Sequence, residues 1–222
     1  MKIKFFRVSL ISFALLLVLS SCAKGNKFIV ENGEYIDKVT GVEYISTTWE
    51  YEPIAVSDEV YGEYTKAYDL TFYKIEGVDP QKYICDNMET LYYANNITLP
   101  TLSEMNIDYV NIYNEYDELV THITDKDFID KLVDTYVNGY NSYDSMYFDV
   151  EPAVEVNQRI KFADTEQGFY YVLAYVDYSS EFSYFNENGK EKSSDKVIFN
   201  RYAPKYVAVD GFINEYYAET QE

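Results

Sequence analysis

Thr124-Asp125-Lys126-Asp127-Phe128-Ile129-Asp130-Lys131-Leu132-Val133-Asp134-Thr135-Tyr136-Val137-Asn138-Gly139 is the stretch on which the fold class turns. Phe128, Ile129, Leu132, Val133, Tyr136 and Val137 recur at i, i+1, i+4, i+5, i+8 and i+9. That spacing gathers them on one face of a helix and leaves the charged residues opposite. Thr124 supplies an N-cap with Asp127 in the capping-box position, and Ile123 and Phe128 stand where a hydrophobic staple closes over a helix start. Asp125 and Asp127 suit the positive end of the helix dipole, and Asn138-Gly139 marks the stop. One principal amphipathic helix is therefore expected over about residues 124–138.

The sequence on either side reads as strands. Upstream, residues 42–49, 69–76, 82–85, 90–94 and 107–113 are rich in β-branched and aromatic side chains and are separated by turn signals such as Gly77-Val78-Asp79-Pro80. Downstream, the same holds for residues 159–162, 169–176, 182–185, 197–199 and 206–209, with Asn188-Gly189 as a hairpin turn. The run Phe169-Tyr170-Tyr171-Val172-Leu173-Ala174-Tyr175-Val176 is apolar on both faces, as a central strand beneath the helix would be. Asp210 stands where it would cap a short closing helix carrying Phe212, Ile213, Tyr216 and Tyr217. The expected fold is α+β, a mostly antiparallel β-sheet with the 124–138 helix packed on it. A single domain over residues 28–222 is expected, with a subdivision near residue 119 left open.

The first 22 residues have a different logic. Lys2, Lys4 and Arg7 precede an apolar run from Val8 to Leu19. As a helix that run rises only ~18 Å, against a hydrocarbon core of ~30 Å. This is the layout of a cleavable export leader. Leu19-Ser20-Ser21-Cys22 resembles the lipobox of bacterial lipoproteins. The resemblance implies a diacylglyceryl group on the Cys22 thiol and cleavage just before it. Residues 1–21 would then be a signal peptide and residues 22–27 a lipidated cysteine with a short polar tether. The chain would sit on the extracytoplasmic face of the cell membrane. Each buried methylene contributes ~0.8 kcal/mol, so two or three acyl chains of palmitate type hold a protein there.

A second resemblance rests on three pieces. They are Ile123-Thr124-Asp125-Lys126-Asp127-Phe128-Ile129-Asp130-Lys131-Leu132, the aromatic strands after it, and Arg201-Tyr202-Ala203-Pro204-Lys205-Tyr206-Val207-Ala208-Val209-Asp210. In this run of features residues 107–217 are similar to small lipoproteins of unknown function from low-GC Gram-positive bacteria. That resemblance carries no catalytic residue across.

Charge narrows the class of partner. The leader holds three of the 18 basic residues and none of the 38 acidic ones, so the processed chain carries a net charge of −23. Such a surface repels nucleic acid and anionic lipid headgroups alike. It favours a basic protein, a peptide or a glycan of the cell envelope. The 26 Tyr and 13 Phe give the composition of strand faces and binding rims, so an acidic, Tyr-rich binding face is expected.

Little in the sequence points to catalysis. With Cys22 lipidated only Cys85 remains, so no disulfide forms within the chain, and Tyr83-Ile84-Cys85 favours a buried thiol. Cys85 with His122, the sole histidine, is the one nucleophile–base pair that could be assembled, as in a cell-envelope hydrolase. Calcium could be offered Asp125, Asp127, Asp130 and Asp134, or Glu115, Asp117 and Glu118. The first set reads equally as the solvated face of a helix, and no Asp-x-Asp-x-Asp-Gly loop is present. No phosphate loop, dinucleotide fingerprint or nucleophile elbow appears. The expectation is a lipid-anchored, non-catalytic binding or accessory domain with no catalytic residues, metal or cofactor, and with Cys22 as its one assigned functional residue. An accessory role within an envelope complex stays open.

Overall fold

Alternation with period two builds most of this molecule, in two sheets. The computed structural model describes residues 25–66, 69–114, 116–141, 159–200 and 205–208. The leader, Cys22 and the expected helix after Asp210 lie outside the described residues.

The first half contains β1 (Asn26–Glu31), β2 (Glu34–Asp37), β3 (Glu43–Ser46), β4 (Tyr51–Pro53), β5 (Val56–Tyr64), β6 (Leu70–Ile75), β7 (Tyr83–Asp86) and β8 (Leu91–Ala94). All but β4 close into a seven-stranded barrel in the order β1-β2-β3-β8-β7-β6-β5. Its seam is a parallel pairing of β1 with β5, Asn26 opposite Gly62 and Lys27 opposite Glu63. The seam needs a residue without a side chain. A Cβ on Gly62 would stand 2.5 Å from a ring carbon of Phe28 and 2.6 Å from the Asn26 carbonyl oxygen.

The second half contains β9 (Tyr109–Tyr113), β10 (Leu119–Ile123), helix α1 (Lys126–Asn138), β11 (Arg159–Asp164), β12 (Phe169–Phe185), β13 (Glu191–Asn200) and β14 (Lys205–Ala208). The strands lie in the order β10-β9-β11-β12-β13-β14, and β4 leaves the barrel to pair with the first residues of β12. Backbone bonds secure this link on both sides of β4: Ile54 N–H donates to Gly168 O at 3.0 Å, and Val172 N–H to Glu50 O at 2.8 Å.

Because successive strand residues point to opposite faces, the barrel wall feeds two cores. Phe28, Tyr44, Tyr61, Tyr64, Phe72, Ile84 and Tyr92 fill the barrel. Ile75, Tyr83, Cys85 and Leu91 point outward and meet Phe128, Ile129, Leu132 and Tyr136 of α1. Ile112, Ile160, Phe162, Leu173 and Ile198 from one face of the second sheet join the same cluster. Each such side chain, fully buried, contributes about 1.5–3 kcal/mol. Polar groups inside are satisfied locally. Asp37, fully buried, accepts from Asn26 Nδ2 at 2.6 Å, Thr40 Oγ1 at 2.7 Å and Tyr61 OH at 2.9 Å.

The coarse expectation of strands with one helix packed on them holds, and β12 lies inside the sheet between β11 and β13, with Tyr171, Leu173 and Tyr175 in the same core as α1. A single, mostly antiparallel sheet does not describe the first half, which curls into a barrel closed by a parallel pair. Three finer expectations also change. The strand region begins at Asn26, not at residue 28. The helix starts at Lys126, with Asp125 rather than Thr124 as N-cap, its carboxylate accepting from the Asp127 and Phe128 amides. Thr and Asp are both good caps, and the extended backbone at Asp125 (φ −67°, ψ 110°) decides between them. Gly139 ends the helix without a left-handed turn, at φ −64°. It is required for clearance instead: a Cβ there would lie 2.2 Å from Thr135 O and 2.5 Å from Val207 Cγ1 of β14.

Candidate functional site: a cleft where barrel and sheet meet

Three loops and one strand converge where β4 crosses from barrel to sheet. The first is the β3–β4 link, Thr47-Thr48-Trp49-Glu50. The second is the β7–β8 turn, shaped by Asp86, which is 1 % exposed. Its Oδ1 accepts from the amides of Met88 at 2.8 Å and Thr90 at 2.9 Å, and its Oδ2 from Tyr92 OH at 3.0 Å. This fold-back holds Glu89 at φ 61° and pushes Met88 outward. The third is the β9–β10 turn, where Asn114 Oδ1 accepts from the amides of Tyr116 and Glu118 and Asp117 adopts φ 62°. Left-handed backbone at a side-chain-bearing residue costs of order 1–3 kcal/mol and is held only by its surroundings.

β11 supplies the floor. Ile160 and Phe162 face α1, so Arg159 and Lys161 face the other way. There they meet Glu52 of β4. Arg159 Nη1 donates to Glu52 Oε1 at 2.9 Å, and Lys161 Nζ to Glu52 Oε2 at 2.6 Å. The second Arg159 amine pairs with Asp117. Burial opposes the Arg159 charge, but Glu52 and Asp117 outweigh it and hold the guanidinium pKa above its ordinary value. Lys161 also lies 4.7 Å above the Tyr113 ring, within cation–π range.

These pieces enclose a cavity of ≈ 210 Å³. Paired charges form its floor and threonines its side. At the rim stand Trp49, 73 % exposed, and Met88, 72 % exposed. Trp49 is the sole tryptophan of the chain. Thr47 lines the same cavity, and its buried Oγ1 has no hydrogen-bond partner among the described residues. A second depression lies between the end of α1 and the β12–β13 hairpin, lined by Asn138, Tyr140, Tyr184 and Glu187.

Of the residues singled out from sequence, Asp117 lines the cleft, and Cys85 and His122 are placed elsewhere. Cys85 is fully buried on the α1 side of the barrel wall, its Sγ donating to Tyr73 O at 3.8 Å. Burial, with Asp86 and Glu89 nearby, pushes its thiol up to about 12. His122 lies on β10 beside Ile123, which shares the Cys85 core, so alternation turns the imidazole to the opposite face. On that face His122 Nδ1 donates to Asn111 Oδ1 at 2.7 Å and the ring packs on Tyr109. The structure does not bring Cys85 and His122 together.

The acidic residues of the candidate calcium clusters are spread over separate tasks. Asp125 caps α1, Asp130 pairs with Lys126 at 3.0 Å, and Asp134 accepts from Asn138 at 2.6 Å. Asp117 holds Arg159 and Glu118 accepts from Asn114 at 2.9 Å, while Glu115 lies outside the described residues. Among the described residues, no group of three or more His, Cys, Asp and Glu side chains is arranged to hold a metal ion. Among the described tyrosines, Tyr44, Tyr61 and Tyr92 lie in the barrel core and Tyr83, Tyr136 and Tyr171 under the helix, while Tyr116 and Tyr140 are exposed.

Trp49, Met88, Glu52, Arg159 and Lys161 were not expected from sequence. Trp49 reads there as the last residue of a strand, and Arg159 and Lys161 as the polar half of an alternating one. No family model, curated protein or solved structure matches the chain.

Proposed function

We propose that this chain is a membrane-anchored lipoprotein of the extracytoplasmic surface whose folded part binds an envelope component without transforming it. The leader and Leu19-Ser20-Ser21-Cys22 support the anchor. With β1 starting at Asn26, only Ala23, Lys24 and Gly25 separate Cys22 from the barrel, a reach of at most ~11 Å. The domain would stand against the bilayer surface that its −23 charge repels, with the lipid as the holding force.

One observation carries the binding half: Trp49 stands exposed over a cavity whose floor charges, Glu52, Arg159 and Lys161, are already paired with one another. Burying a side chain of its size is strongly favourable, so an indole left in water beside a formed cavity is a surface awaiting a partner. The floor also argues for binding over chemistry. Both carboxylate oxygens of Glu52 are engaged, one by Arg159 and one by Lys161, and so are not free to act on a substrate. A basic protein, a peptide or a glycan of the envelope remains the class of partner.

Two experiments test the two halves. Growth with a labelled fatty acid should place label on the wild-type chain and none on Cys22→Ala, and equal labelling of both would remove the anchor. An envelope extract passed over immobilised protein should leave material on wild type that Trp49→Ala does not retain. Equal retention would place binding elsewhere.

A further inference from the structure

The chemistry of the cleft narrows the partner, on the premise that the cleft is the binding site just proposed. We infer that its ligand is an uncharged glycan, one sugar ring lying on the Trp49 indole with its hydroxyls directed to the charged floor.

The site is amphiphilic in a particular sense. Its rim is an exposed indole and an exposed thioether; its floor is a carboxylate, a guanidinium and an ammonium in one hydrogen-bonded array. A pyranose has matching halves, a C–H face that packs on an aromatic ring and a perimeter of hydroxyls that both donate and accept. Arg159 spends one contact on Glu52 and one on Asp117, and a guanidinium carries five N–H donors, so donors remain. Thr47, Thr48 and Thr90 add uncharged polar side chains to the lining. A cavity of ≈ 210 Å³ suits one sugar ring better than a drug-sized ligand, whose sites run to about 300–1,000 Å³.

Charge decides between glycan and peptide. Of the lining residues, Glu52, Glu89 and Asp117 are acidic and Arg159 and Lys161 basic. The surplus is a single negative charge in a chain of strong net negative charge, so a polyanionic glycan is repelled. A lysine or arginine side chain entering the cleft meets Arg159 and Lys161 with Glu52 and Asp117 already engaged, and only Glu89 at the rim is outside the ion pairs of the described residues, which argues against a basic peptide. A neutral ligand with many hydroxyls pays neither penalty.

The test is calorimetric titration of the full-length chain, purified in a detergent without a sugar headgroup, against chitotetraose, cellotetraose and tetralysine. The inference predicts saturable binding of at least one saccharide. Trp49→Ala should weaken it at least about tenfold and Trp49→Phe much less, while Val39→Ala, exposed and outside the cleft, should leave it unchanged. Circular dichroism of the variants confirms that each is folded. Absence of saccharide binding, or saccharide binding indifferent to Trp49→Ala, overturns the inference. Trp49-dependent capture of tetralysine alone overturns the glycan assignment and leaves the binding function standing. Failure of Trp49 to respond even to a whole envelope extract removes both.

Discussion

Cys85 shows how one position can be read correctly from sequence while its functional implication is not. A short apolar run predicts burial, and the thiol is buried. Whether it could meet His122 depends on strand parity across two sheets, which no local signal carries. With the thiol pushed up to about 12, the thiolate fraction at pH 8 is about one in ten thousand. Native protein should resist iodoacetamide at that pH and label fully once denatured, as read by intact mass. Rapid stoichiometric labelling of native protein would contradict the packing around β7. The helix cap allows an equally local test. Asp125→Ala should cost about 1 kcal/mol in urea unfolding, and Thr124→Ala well under half of that. A reversed order would restore Thr124 as the cap.

At the scale of elements, α1 was legible because every signal for it lies within the seventeen consecutive residues from Ile123 to Gly139. Its stripe, stop and length all follow from the 3.6-residue period, and only the capping residue shifts by one. β5 was not legible. Val56-Ser57-Asp58-Glu59-Val60-Tyr61-Gly62-Glu63-Tyr64 is acidic, contains a glycine and changes register against β6 twice, so its alternation is broken where a strand would announce itself. Its partner β1 is parallel and distant in sequence, and β4 is three residues ending in proline. Barrel closure is thus a property of long-range pairing. Where the chain passes close to itself, glycine gives a measurable handle. Gly139→Ala should destabilise the domain by about 1–3 kcal/mol, because its Cβ would overlap Thr135 O and Val207. Leu132→Ala, which opens a cavity under the same helix, should cost about 2–5 kcal/mol. An unchanged urea midpoint for either variant would mean that α1 does not dock on the sheet as described.

The whole molecule is built around buried tyrosine, and this sets its response to alkali. Burial raises the pKa values of Tyr44, Tyr51, Tyr83, Tyr136, Tyr170 and Tyr171 above their ordinary value of about 10. A group with a raised folded-state pKa contributes stability that is intact below its unfolded value and lost as pH climbs toward the folded one. The fold should therefore hold through pH 9 and weaken progressively above about 10. Tyrosinate absorbance should rise in two stages, exposed rings first and buried rings together with the loss of circular dichroism. A single smooth titration near 10 with dichroism intact would contradict these cores. The abundance of tyrosine was legible in the sequence, but its placement was not, since a ring with a hydroxyl serves a core as well as a rim. The candidate site was hidden for a related reason: Trp49 with Glu52, Met88 and Arg159 come from three separate parts of the chain and meet only where β4 crosses between the two sheets. That crossing makes the central claim directly measurable, because Trp49 is the only tryptophan and its fluorescence reports on the cleft alone. Emission and acrylamide quenching should be recorded before and after adding an envelope extract that the protein demonstrably retains. Emission should be red-shifted and readily quenched in the free protein, and should move to the blue and become shielded on binding; unchanged emission and quenching while the extract is bound would mean that the cleft is not where the partner sits.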